Sequence, residues 1–136
     1  MDDRKLVQMA REVLPFAYAP YSGYRVGAAL LTDVGRVFRG VNIENASSGL
    51  TICAERAAVA AAVTAGYRSF SRIAVVSEDK DGPVPCGACC QVLSEFSGGK
   101  LKVLVSGKED NIRIFTLREL FPHPFVFYNE APPQER

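Results

Sequence analysis

The chain has little that would commit it to a charged or membranous partner. Its 16 Lys and Arg residues are matched by 15 Asp and Glu, leaving a net charge of +1 and a pI near 7.6. That balance excludes the strong basic field of a nucleic-acid-binding or anionic-lipid-binding surface. No run approaches the roughly 20 apolar residues that span a bilayer. The opening "MDDRKLVQMA" is charged and lacks the apolar stretch of a secretory signal. The expectation is a cytoplasmic protein acting on small, neutral or weakly charged molecules. Histidine is nearly missing: the one copy, His123, stands between two prolines and reads as a surface or packing residue, not a metal ligand. Repeats, low-complexity tracts and interdomain linkers are also lacking, so residues 1–136 are read as one domain.

What is present is an ordinary globular composition, 48% apolar and 23% charged, in a length that supports a real core. Leu6, Met9, Ala10, Val13 and Leu14 fall at helical spacing and predict a first helix from Lys5 toward Tyr18, with Pro15 near its end. "YRVGAALLT" and "RVFRGVNIE" flank "DVGR" and predict a hairpin. "CAERAAVAAAVTAG" predicts a helix stopped at Gly66, "SRIAVVS" a buried strand, and "CGACCQVLSEFSGG" another helix stopped by glycine. "KLKVLVS" and "NIRIFT" are strands joined by only "GKED". A parallel crossover needs about a dozen residues, so these two pair antiparallel. "LRELF" gives a helical turn, and a tail of low regularity runs to "PPQER". The order α-β-β-α-β-α-β-β predicts a three-layer α-β-α sandwich on a mixed five-stranded sheet. Both cysteine-bearing segments open helices that follow strands, where such folds build their binding sites.

The four cysteines carry the chemistry. Disulfides rarely persist in a reducing compartment, so metal binding or catalysis is the expected use. Cys86 and Cys89 form a Cys-x-x-Cys at a helix start, and Cys53 opens a second helix. At such positions the helix dipole favours the thiolate. Three thiolates converging on one ion suit zinc, and three protein ligands leave a position for water, as catalytic zinc requires. Cys90 diverges from Cys89 by about 100° around the helix, which keeps it off the same ion. Glu55, two residues after Cys53, can reach a water at the metal and move its protons. Cys-Ala-Glu followed by Pro-Cys-x-x-Cys is the three-cysteine form of a zinc deaminase signature.

With these motifs the chain resembles the cytidine deaminases of nucleoside salvage, in their short homotetrameric form. The resemblance runs from "AYAPYSGYRVGAAL" through "GVNIENAS", "TICAERAA" and "PCGAC-Q" to Phe125. It implies zinc held by Cys53, Cys86 and Cys89, with Glu55 as the catalytic proton shuttle. It further implies ribose contacts at Asn42 and Glu44, an aromatic near the base at Tyr24, and a contact from the Ala54 amide to the pyrimidine carbonyl. Phe125 would reach a neighbouring subunit's site. Arg56 would withdraw charge from the ligand sulfurs, which otherwise leave the zinc site net negative. The implied reaction turns cytidine and deoxycytidine into uridine and deoxyuridine plus ammonia, in pyrimidine salvage.

Two departures from the family pattern stand near the site. Position 90 is cysteine where the pattern has arginine, and Ser47-Ser48-Gly49 replaces a segment that often holds an aromatic. They keep open an alternative, a deaminase of modified cytosine nucleosides such as C4-substituted ones or nucleoside antibiotics. A non-catalytic zinc-stapled module is the remaining reading, and it requires a fourth ligand. The run "AAVAAAV" is apolar almost all round, which a thin sandwich cannot bury alone, so identical helices are expected to pack across symmetric interfaces. Phe121, Phe125, Phe127 and Tyr128 read as core or interface aromatics.

Overall fold

Alternation along one strand sets the architecture. In a computed structural model describing residues 1–109 and 111–127, β1 (Val26–Thr32) is buried along its whole length. Its side chains divide by period two between opposite faces. Ala28 and Leu30 join one core with Ile73, Val75, Val103 and Val105. Ala29 and Leu31 join a second with Leu6, Val7, Ala10, Ala74, Val76 and Leu104. A strand buried on both faces demands a layer of helix on each side.

The remaining elements supply those layers. Helix α1 (Asp3–Val13) covers one face, and α2 (Ala54–Thr64) and α3 (Gly87–Ser97) cover the other. The sheet adds β2 (Val37–Val41), β3 (Phe70–Ser77), β4 (Lys102–Ser106) and β5 (Ile112–Thr116) in the order β2-β1-β3-β4-β5. Only β3 and β4 pair in parallel, with α3 between them as the crossover. The last two strands are antiparallel, as their short connection requires. The mixed sheet between helical layers is the one expected from element order.

Local chemistry sets the boundaries. Asp2 caps α1 by accepting from the Lys5 N–H at 2.7 Å. The helix stops at Val13, well before Tyr18, because Pro15 cannot continue it; Leu14–Phe16 is a 3-10 turn instead. Gly66 (φ +98°) and Gly98 (φ +66°) stop α2 and α3 in the left-handed region that favours glycine. The helical turn α4 (Leu117–Leu120) opens on a reciprocal capping box between Thr116 and Glu119.

Two glycines let the helices sit down on the sheet. A Cβ on Gly27 would stand 2.5 Å from the Ala10 carbonyl oxygen of α1. A Cβ on Gly40 would stand 2.5 Å from both the Ala54 carbonyl oxygen and the Ala58 nitrogen of α2. The first turn of α2 is therefore placed by direct backbone contact with β2. The outer side of α2 stays open in the single chain, where Ala60, Ala61 and Ala65 are exposed. Phe121 packs on the core, whereas Phe125 and Phe127 are exposed. Tyr128 lies outside the described residues. His123 is exposed, as expected of a surface residue.

Gly40→Ala should cost about 1–3 kcal/mol, the usual penalty for overpacking a tight contact. A denaturant midpoint equal to that of the parent would contradict this packing. A second outcome concerns Asp3, which accepts from Arg72 Nη1 and from Lys102 Nζ, each at 2.7 Å. Burial raises its carboxyl, but these two cations outweigh that and hold it below the ordinary 3.8. A depressed folded-state value makes the contribution complete above the unfolded value and lost as pH falls through the folded one. Asp3→Asn should therefore lower stability at pH 7 by about 1 kcal/mol or less, given partial exposure. The gap to the parent should close below about pH 3.8, checked by thermal melts across pH.

Candidate active site

Two helix starts and one bridge bring the sulfurs together. Cys53 and Cys86 occupy the N-cap positions of α2 and α3, both in extended backbone. Cys89 lies in the first turn of α3, where the Cys90 N–H donates back to the Cys86 carbonyl at 2.9 Å. Ile52, just before Cys53, exchanges two backbone hydrogen bonds of 2.9 Å with Ile43. That bridge places Cys53 beside the segment carrying Asn42 and Glu44. The sulfurs of Cys53, Cys86 and Cys89 all lie within 4.8 Å of one another, and among the described residues no other His, Cys, Asp or Glu cluster of this kind occurs.

This donor set fits one zinc ion. Zinc–sulfur bonds of about 2.3 Å in a tetrahedron space the sulfurs about 3.8 Å apart, within the observed span. Cys89 donates to Cys53, which draws the Cys53 thiol down to about 5, and Arg56 adds to the effect. The same contact, together with burial, pushes the Cys89 thiol upward. Arg56 Nη2 reaches Cys53 Sγ at 3.4 Å and the Thr51 carbonyl at 3.3 Å. Hydrogen bonding to Cys53 is the main reason its guanidinium pKa is raised. Arg56 thus stands where the excess charge of three thiolates would gather.

Cys90 takes no part in the cluster. It is buried in the core with Leu93 and Leu101, and its thiol points at the Pro85 carbonyl at 3.6 Å. Burial pushes that thiol's pKa up, in keeping with a neutral packing residue. With Cys90 turned away, no fourth His, Cys, Asp or Glu among the described residues joins the three sulfurs within that distance.

Glu55 lies in the first turn of α2 and is only 5% exposed. Burial pushes its carboxyl up to about 7, and the nearby Cys53 charge works in the same direction. Ala54, fully buried, is the first helical residue, so helix geometry gives its N–H no intrahelical acceptor. That N–H is free to serve a ligand carbonyl.

A cavity of about 650 Å³ opens beside the cluster, lined by Tyr21, Ser22, Glu44, Thr51, Cys53 and Arg56 among others. Its size suits a small-molecule ligand. Ser48 and Gly49 also line it, so the segment lacking an aromatic leaves open space at the rim. Glu44 accepts from the Tyr21 and Ser22 N–H groups at 2.9 and 3.1 Å and from the Ser22 hydroxyl. The Ser22 hydroxyl bond leads the causes holding its carboxyl below the usual range. Asn42 accepts from Val26 N–H at 2.9 Å and donates to the Tyr24 carbonyl at 2.8 Å, leaving one amide hydrogen uncommitted.

Of the expected contacts Glu44 lines this cavity, whereas Tyr24, Asn42, Ala54, Glu55 and Phe125 do not, and Phe125 is 71% exposed. Its backbone is clamped by Gln91, whose amide donates to the Phe125 carbonyl at 2.9 Å and accepts from its N–H at 3.0 Å. Reading the sequence did not single out Gln91 or Ser22. Gln91 offered one signal, an amide directly following the ligand-bearing turn of α3. Ser22 offered none beyond its place in a turn-rich loop.

Comparison with known proteins agrees with this arrangement. Residues 1–105 match the family model for the cytidine and deoxycytidylate deaminase zinc-binding region. A cytidine deaminase of Sporosarcina psychrophila is 44% identical over 126 residues, covering 92% of each chain. One from Halalkalibacterium halodurans is 46% identical over 126 residues, covering 93% of this chain and 96% of its own. The crystal structure of cytidine deaminase from Burkholderia pseudomallei superposes with a TM-score of 0.88 at 44% identity, covering 92% of this chain and 100% of that one. By its fold, its sulfur cluster and its sequence, the chain belongs to the cytidine and deoxycytidylate deaminase family.

Proposed function

We propose that the chain, as one deaminase domain over residues 1–136, hydrolyses cytidine and deoxycytidine to uridine and deoxyuridine with release of ammonia. The observation that carries this is a buried carboxylate, Glu55, on the same helical turn as one sulfur of a three-cysteine cluster. Cys53, Cys86 and Cys89 hold the metal. Zinc bound there supplies the acidity that makes a water nucleophilic at neutral pH.

Glu55 would accept a proton from the attacking water and deliver it to N3 of the cytosine ring. It then passes the second proton to N4 as the C4–N4 bond breaks, so the water oxygen becomes O4 of uracil and N4 leaves as ammonia. Burial of Glu55 keeps these transfers out of bulk solvent. The Ala54 N–H holds the ring carbonyl at O2, and Tyr24 walls the base. Asn42 and Glu44 take the sugar hydroxyls, orienting C4 toward the nucleophile. Arg56 withdraws charge from the sulfurs, without which three thiolates would make a poor activator.

We further infer a homotetramer with shared sites, in which Phe125 reaches a neighbour's substrate. Support comes from the apolar surface the single chain leaves uncovered, including Phe16 at 76%, Leu50 at 65% and Phe125 at 71% exposure, with the outward alanines of α2. Four free thiols suit a reducing cytoplasm, and the reaction suits pyrimidine salvage.

Glu55→Gln should retain one zinc per subunit while losing at least about a thousandfold in kcat, within the usual range for removing a general acid–base. The checks are elemental analysis and the fall in absorbance as cytidine is consumed; a near-normal rate would sink this role for Glu55. Light scattering should give four times the 14.8 kDa chain mass. A monomer at working concentration would refute both the tetramer and the contribution of Phe125 across an interface.

A further inference from the structure

One hydrogen-bond network joins the base side of the site to the loop that delivers Cys86. Tyr24 is fixed at its backbone, where its carbonyl accepts from Asn42 Nδ2 at 2.8 Å and its N–H donates to Ser22 Oγ at 3.0 Å. Its side chain reaches across to the far end of β3. The phenol lies 3.1 Å from Asp79 Oδ2 and 3.2 Å from Ser77 Oγ. Ser77 is fully buried and donates its hydroxyl proton to Asp79 Oδ1, which also accepts from the Gly82 N–H at 3.0 Å. Donor counting orders the network. Asp79 only accepts, and Ser77 has spent its proton on Asp79, so both groups converge on the single proton of Tyr24.

The same carboxylate shapes the turn that follows. Asp79 and Gly82 (φ +83°) close a turn packed hard on the end of β4. A Cβ on Gly82 would stand 2.6 Å from the Ser106 carbonyl, and the Asp79 carbonyl accepts from Lys108 N–H at 2.6 Å. From this turn the chain runs through Pro85 to Cys86. Burial first, then the charges of Asp79 and Glu55, keep the phenol protonated against the contact with Ser77.

We propose that Asp79 is a positioning residue of the deamination site: one of its oxygens fixes the Tyr24 ring that walls the base, and the other fixes the turn leading to Cys86. This rests on the reading that the site deaminates cytidine with Tyr24 beside the base. The network couples two parts of the site that approach from different strands, so loosening the phenol loosens the turn.

The test combines a double-mutant cycle with hydrogen exchange on zinc-loaded protein. Tyr24→Phe keeps the ring and removes the hydroxyl. It should raise KM for cytidine about tenfold or more, the order expected for one hydrogen bond to a charged acceptor, while kcat changes by less than about twofold. Asp79→Ala should raise KM at least as much, and Tyr24→Phe combined with Asp79→Ala should be no worse than Asp79→Ala alone. If Asp79→Ala does not fold, Asp79→Asn takes its place, since its amide oxygen can still accept from Gly82 and Ser77 while its NH2 cannot accept from the Tyr24 hydroxyl. Multiplying KM effects in the cycle, or an unchanged KM in Tyr24→Phe, would overturn the proposal. Exchange of the Gly82 amide should speed up about tenfold in Tyr24→Phe, and an unchanged rate would equally overturn it. If the parent protein fails to consume cytidine, the functional reading falls, while the exchange result still decides whether the phenol holds the turn.

Discussion

Everything at the site depends on holding three sulfurs, each inclined to a negative charge once ionised, within 4.8 Å of one another. Unaided, that arrangement is electrostatically costly, since like charges at such distances disfavour one another's ionisation. The fold meets the cost in two ways besides the metal itself. Two helix N-termini point their partial positive charge at the cluster. Arg56 brings a full charge to Cys53 at 3.4 Å. A divalent cation held by the three sulfurs would offset the remaining repulsion between their thiolates.

Such a cluster needs a rigid frame, and the sheet provides it through register. The β1–β2 hairpin and its Ile43–Ile52 extension set where Cys53 begins α2, while the β3–β4 parallel pair sets where the Cys86 loop must return. Gly40 lets the first turn of α2 lie against β2 at backbone contact, so Glu55 and Arg56 inherit the precision of the strand below them. The three sulfurs and Glu55 thus sit at the starts of helices packed on the sheet, with Cys89 and Glu55 buried and Cys86 exposed. Apart from Ala54 on α2, the residues proposed for the sugar and base sit on the loop of residues 18–24 and the segment after β2, where hydrogen bonds to backbone hold them.

This division explains what could be read from the sequence. The layers, the five strands and the antiparallel end pair were legible because period two and connection length are local properties. The clustering of the three sulfurs, with Glu55 in the adjoining turn, was legible because both cysteine segments open helices, and a helix start constrains where its first side chains point. The extent of α1 was not, since the pattern of Leu6 to Leu14 continues past the point at which Pro15 ends the helix. The networks of Asp79 with Tyr24 and of Gln91 with Phe125 were invisible for a different reason. Their partners stand 55 and 34 residues apart, and only the completed sheet brings them together. Nothing in the local composition of "SEDKDGPVP" marks Asp79 out from its acidic neighbours.

Cys90 shows how the departures from the family pattern are absorbed. An arginine at that position would bring a second cation to the helix that carries two of the three sulfurs. Cysteine instead enters the core and contacts the Pro85 carbonyl, one residue before Cys86. The position keeps a hand on the ligand loop, through packing and a weak thiol contact, but gives up any charge compensation. Compensation from side chains then falls on Arg56, already within 3.4 Å of Cys53. Rigidity of the Cys86 loop falls correspondingly on the turn held by Asp79. Charge and placement are thus divided between Arg56, in the connection from β2 to β3, and Asp79, in the connection from β3 to β4.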